Sequence, residues 1–225
     1  MRVSVLTVIA LLSAPACSSR DTARAPAASD APEKASVPAA QVPSVPQISK
    51  WELDPENSSA AFVCKHVFSN VRGMFQQPSG TVILDDGTPA NSKVNATIKV
   101  SSITTGVEER DTHLKSPYFF DAAKYPVITF VSSNFSKSSA TSYAVTGNLT
   151  MHGVTKPVTL AVTASPPFNH AGSIRRSIEA TTSVNRRDFG LLWDFPGEGT
   201  GVVVGDNIKI TIDAEMVLQP ESKRG

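Results

Sequence analysis

Cysteine is nearly absent from the chain: only Cys17 and Cys64 occur in 225 residues. A disulfide between them is disfavoured, because Cys17 closes an N-terminal segment built like an export signal. An excess of charge of either sign is missing too, with 21 Lys plus Arg against 20 Asp plus Glu. Removing the first seventeen residues, whose one charged side chain is Arg2, leaves 20 against 20. Such a balance supplies no basic surface for nucleic acid or for an anionic partner. The apolar run near the N-terminus is too short to persist as a membrane-spanning helix. The four histidines, His66, His113, His152 and His170, show neither His-x-His nor HExxH spacing, so nothing local points to a metal. No G-x-S-x-G signature accompanies Cys64 or any serine, and no Gly-rich phosphate loop opens a helix. The sequence therefore offers no catalytic residue, cofactor or metal ligand. What it does have, 40% hydrophobic and 7% aromatic residues, suits one folded globular domain of barrel or sandwich size.

Four segments follow from composition. In residues 1–17, Arg2 precedes the apolar run Val3 to Leu12, and Ser13, Ala14, Pro15 and Ala16 lead to Cys17, the layout of a secretory signal. A Cys immediately after Ala16 resembles the bacterial lipoprotein signal, in which that Cys is acylated and becomes the first mature residue. Ala14 and Pro15 depart from that pattern, and a plain secretory cut is the alternative. Ser18, not Asp, follows the Cys, which by resemblance to sorted lipoproteins favours the outer membrane and a periplasmic location. Residues 18–50 are Ala, Pro and Ser with scattered charge. They cannot bury enough apolar surface to offset ordering entropy and read as an extended tether. The folded domain is expected over 51–218, with a solvated tail at 219–225. If Cys17 is acylated, Cys64 is a buried free thiol.

Within the domain, period-two alternation predicts strands. Phe62, Cys64, His66 and Phe68 share one face of a first strand. Arg72 to Phe75 and Gly80 to Leu84 suggest another, bent at a glycine. Val94, Ala96, Ile98 and Val100 alternate with Lys93, Asn95, Thr97 and Lys99. Val127 to Phe135, Tyr143 to Met151, Val158 to Ala164 and Ser173 to Asn185 continue the series, with Gly153 permitting one reversal. A Gly-rich loop from Phe189 to Gly201 holds Trp193 and Phe195. The final strand sets Ile208, Ile210, Ile212, Ala214, Met216 and Leu218 against Lys209, Thr211, Asp213 and Glu215. About eight strands joinable by hairpins predict an all-β, eight-stranded antiparallel barrel, because closure removes exposed edges. A barrel of that size is just wide enough for one small ligand. The exception to the pattern is Thr104 to Pro126, where Val107 to Lys115 predicts a short helix with Glu108 and Glu109 at its positive end, stopped before Pro117. With Tyr118, Phe119 and Phe120 following, this stretch reads as a lid over whatever the strands enclose.

Five blocks in order carry a resemblance to a known family: Phe62 to His66 (FxxKH), Val71 to Phe75 (VRGMF), Thr104 to Phe130, Val145 to Leu160 and Asn185 to Gly190 (NRRDFG). Together they closely resemble the YceI-like family. The resemblance implies a lipocalin-like barrel, usually periplasmic and often a homodimer, that holds a polyisoprenoid or similar long amphiphile and has no established catalysis or metal. Tyr118 stands where the family usually has an acid, so a polar lid contact is either absent or replaced by the phenol.

On this reading the chain binds, sequesters or carries an isoprenoid-type lipid, of polyprenyl or quinone type, with a membrane anchor at Cys17. A periplasmic enzyme acting on such a lipid and a filled interaction module are the alternatives. The expected wall is Phe62, Ile98, Phe130, Leu149, Leu160 and Ile210, with Phe75, Phe119, Phe120 and Trp193 as rim or lid. The same residue types equally suit an ordinary core. Arg110 and His113, with Asp111, are placed to meet a polar head. Their structural alternative is an Arg-Asp pair pinning the lid, with His113 capping a backbone group. Asn185, Arg187 and Asp188 repeat the theme, so the two groups could clasp one another.

Overall fold

The computed structural model describes residues 43–66, 69–193 and 204–220. In chain order these form β1 (Ile48–Leu53), β2 (Ser59–His66), β3 (Ser69–Gln76), β4 (Ser79–Asp85), β5 (Lys93–Lys99), β6 (Ile103–Thr104), α1 (Glu108–Lys115), β7 (Val127–Lys137), β8 (Ser142–Met151), β9 (Val154–Ala164), β10 (Phe168–His170), β11 (Ser173–Asn185) and β12 (Asn207–Leu218). Every pairing between them is antiparallel.

Twelve strand segments collapse to eight barrel positions. β12 pairs along one edge with β11, and along the other with β1 at Met216–Leu218 and with β2 at Lys209–Asp213. β1 and β2 thus act as one bent strand broken by the turn at Pro55–Asn57, whose Asp54 caps Glu56 N–H. β3 and β4 form the next bent strand, pairing with β2 and β1 respectively, and β5 and β6 the third. The ring closes through β7, β8, β9 with β10 as its short continuation along β11, and β11. The eight-stranded antiparallel barrel expected from alternation is therefore the observed fold.

Three departures have local causes. The bend between β3 and β4 falls at Gln77–Pro78, with Gln77 in the left-handed region at φ 53, and not at a glycine. Gly73 sits inside β3 because a Cβ there would come within 2.5 Å of the Phe62 ring. In β7 a bulge between Ser132 and Asn134 adds one residue and flips the inward phase, from Ile128 and Phe130 to Phe135. The described fold also takes in residues before Trp51, since Val45 packs against the core and β1 starts at Ile48.

Local chemistry explains the other turns. His152 and Gly153, at φ 52 and 76, form the two-residue reversal between β8 and β9, the left-handed pair that a tight hairpin demands. α1 matches the predicted lid helix to within a residue. Ser116 ends it by donating from both N–H and Oγ to the His113 carbonyl, before Pro117 is reached. The following chain folds back, with Phe120 N–H on the Leu114 carbonyl at 3.0 Å.

The core is in two parts. One, at the lid end, gathers Phe75, Val100, Ile103, Phe120, Ile128, Phe189 and Leu191. The other, at the opposite end, surrounds Trp51, which is fully buried and donates from Nε1 to Ser49 Oγ at 2.8 Å.

Candidate ligand cavity

The inward faces do not meet. Between the two core clusters runs a cavity of about 630 Å³, within the ~300–1,000 Å³ span typical of small-molecule sites. Its wall is the dry face of each strand. β12 contributes Ile208, Ile210, Ile212, Ala214 and Met216, β8 contributes Tyr143, Val145, Leu149 and Met151, and β5 contributes Val94, Ala96 and Ile98.

All twelve side chains singled out from the sequence as candidate ligand contacts line this one cavity. Phe62, Ile98, Phe130, Leu149, Leu160 and Ile210 lie along the barrel wall. Phe75, Phe119, Phe120 and Trp193 gather at the lid with Arg110 and His113. The rings touch in series: Phe62 to Phe75 at 5.8 Å between centroids, Phe75 to Phe120 at 5.7 Å, and Phe119 to Phe120 at 5.1 Å. Trp193 lies 4.6 Å from the His113 ring. Cys17 and the tether through residue 42, together with Phe68, Phe195 and the tail from 221, lie outside the described residues.

The polar lid groups tie down the lid, but not through the expected Arg-Asp pair. Arg110 and Asp111 do not pair with each other; both turn to Thr105, just after β6. Asp111 Oδ1 accepts from Thr105 N–H at 2.7 Å and from Thr105 Oγ1 at 2.5 Å. Arg110 donates from Nε to Thr105 Oγ1 at 2.8 Å and from Nη2 to its carbonyl at 3.2 Å. Burial opposes ionisation of Asp111, but the hydrogen bonds from Thr105 and Thr104, together with the charge of Lys115, outweigh it and hold the carboxyl below its ordinary range. No clasp joins this group to Arg187, which instead bonds Asp206 at 2.7 Å. Asn185 caps Arg187 N–H. Among the described residues His113 caps no backbone group with its ring: Nε2 is buried without a partner there, and Tyr118, 75% exposed, stacks on the imidazole.

Two functional features escaped the sequence reading. Arg186, 1% exposed, donates to the carbonyls of Leu191, Trp193, Val204 and Gly205 and meets Asp206 at 3.1 Å. It thereby ties both ends of the Gly-rich loop beside the lid. Arg176 lines the far end of the cavity, and its position in phase with Ile178 and Ala180 on β11 was the available signal. Cys64 is a buried free thiol, as expected. Burial pushes its thiol pKa up, against the nearby Arg186, and Sγ rests on the Gly205 carbonyl at 3.5 Å. Among the described residues no three His, Cys, Asp or Glu side chains converge as metal ligands.

Comparison with known proteins gives the family. The YceI-like domain matches residues 51–216. A UPF0312 protein of Yersinia enterocolitica is 37% identical over 149 residues, covering 64% of this chain and 77% of that one. The crystal structure of Burkholderia cenocepacia BcnA superimposes with a TM-score of 0.62 at 27% identity, over 72% of this chain and 98% of that one. A polyisoprenoid-binding domain from Saccharophagus degradans, implicated in plant cell wall breakdown, gives 0.54 at 16% identity over 75% and 98%, and at that identity shares the fold.

Proposed function

The chain belongs to the YceI-like family, and from that premise we propose that it binds and sequesters or carries one isoprenoid-type lipid, polyprenyl or quinone, inside the barrel. The observation that carries the reading is the cavity itself: a continuous apolar void of about 630 Å³ running from the lid aromatics to the Trp51 end. An apolar interior of this kind gains about 0.8 kcal/mol for each methylene it takes from water, so the wall and lid residues supply affinity through area. The Saccharophagus degradans domain of the same fold, described as polyisoprenoid binding, supports this ligand class.

The reading is a binding role and not a catalytic one. Glu109 is the one carboxylate at the cavity wall among the described residues, and Arg110, Asp111 and Arg186 are engaged in holding the lid and loop. We further propose a periplasmic setting, with acylated Cys17 anchoring the chain to the outer membrane; palmitate labelling that persists in a C17A variant would remove the anchor.

A filled barrel tests the main claim. Ala180 is 3% exposed and faces the cavity from β11. Geranylgeraniol is expected to bind the full chain saturably at one per protein, and A180F to weaken it by at least about tenfold while the variant keeps a cooperative melt. Binding unchanged in folded A180F would place the lipid outside the barrel.

A further inference from the structure

Arg176 stands on the inward face of β11, in phase with Ile178, Ala180, Thr182 and Val184, and lines the cavity at the end away from the lid. It is 9% exposed, and its Nε is buried with no hydrogen-bond partner among the described residues. Among the described residues no carboxylate pairs with it; its guanidinium carbon lies 5.8 Å from the Trp51 ring centroid, a cation–π contact.

The contrast with its neighbours is sharp. Arg175, on the outer face, reaches Asp54 at 2.7 Å and Glu215 at 2.8 Å. Arg186 is the most buried arginine and is bonded to carbonyls and to Asp206. Among the described residues, Arg176 is the buried arginine left without a hydrogen-bonded counter-ion. Arginine does not escape this by losing its proton, and a buried charge without a counter-ion is costly. The core cluster at this end, with Phe135, Tyr143, Ala164 and Met216, includes no acid, and the one carboxylate lining the cavity among the described residues, Glu109, belongs to α1 in the lid.

We propose that Arg176 is the counter-ion for an oxyanion, phosphate or carboxylate, at the end of the bound apolar chain. The ligand then enters polar end first, with its tail lying toward the lid. A guanidinium fork accepts either oxyanion in two parallel hydrogen bonds. This rests on the isoprenoid reading and narrows it to acidic prenyl chains.

Geranylgeranyl phosphate, geranylgeranoic acid and geranylgeraniol, titrated into the full chain freed of co-purified lipid, form the test. The two acids are expected to bind about 10- to 100-fold tighter than the alcohol, the range of one charge-assisted hydrogen-bond set. R176M should erase that preference while leaving the alcohol's affinity within about threefold, and R176K should restore part of it. A tighter phosphate than carboxylate identifies a prenyl phosphate; equal binding of the two identifies any oxyanion-tipped chain. In the wild-type protein the acids should shift the Trp51 indole N–H resonance and the alcohol should not. That readout and the wild-type comparison decide the matter even if R176M fails to fold. Equal affinity for acids and alcohol in the wild type, or a preference that survives R176M, overturns the assignment and leaves the carrier reading standing. Failure of all three chains to bind overturns both.

Discussion

The two ends of the barrel use arginine in opposite ways. At the lid, Arg186 is enclosed and completely engaged, and Arg110 is spent on Thr105. At the far end Arg176 is nearly as buried and bonded to nothing among the described residues but the face of Trp51. Proximity to the mouth suggested the lid charges as head-group contacts. The hydrogen bonds that Arg110 and Asp111 make to Thr105 give those two charges a part in holding the lid, whereas a buried charge whose partners are missing points to a ligand.

Substituting the two arginines separately should break the symmetry most visibly. In the lipid-free protein, R186M should lose about 3–5 kcal/mol, the cost of removing one side of a buried, hydrogen-bonded charge set. R176M in the same state should be neutral or gain about 1–4 kcal/mol, because an uncompensated buried charge gives way to an apolar chain of similar length. Chemical denaturation reads both. Equal losses from the two would dissolve the distinction between fold-holding and ligand-holding arginine.

A smaller effect sharpens the lid side. D111A should cost about 1.5–3 kcal/mol through the lost charge-assisted bonds to Thr105, felt locally as faster amide exchange at Thr105 and along α1. The pH dependence has a definite sign. Asp111 has its folded pKa lowered by those bonds, overcoming the opposing burial, so its contribution is full above the unfolded carboxylate value near ~3.9. It fades as pH falls through the lower folded value. Wild type and D111A should therefore converge in acid, and a difference that grows on acidification would refute the Asp111–Thr105 account.

Much of the molecule was legible because it is local and periodic. The alternation of Ile208 to Leu218 and of Val94 to Ile98 marked the inward faces, Gly153 marked a reversal, and the acidic start of Glu108–Lys115 marked the lid helix. The wall residues followed, since a strand fixes which side chains share a face. The break at Gln77–Pro78 and the bulge at Ser132 were not legible, because they depend on which strand lies alongside. The same holds for the lid charges. Arg110 and Asp111 looked like a pair, but Thr105 captures both once β6 lies beside β3. Arg176 could have been noticed as an arginine in an apolar phase; that it lacks a partner is a fact of three dimensions.

The central claim, that the void is a lipid site, is tested most directly by mass spectrometry of the full chain purified without detergent or solvent stripping, followed by analysis of whatever is released on denaturation. The account predicts one prenyl-bearing lipid per chain, released only when the barrel unfolds. A chain that is empty in every preparation, or that carries apolar molecules in no fixed ratio and without prenyl repeats, would contradict it.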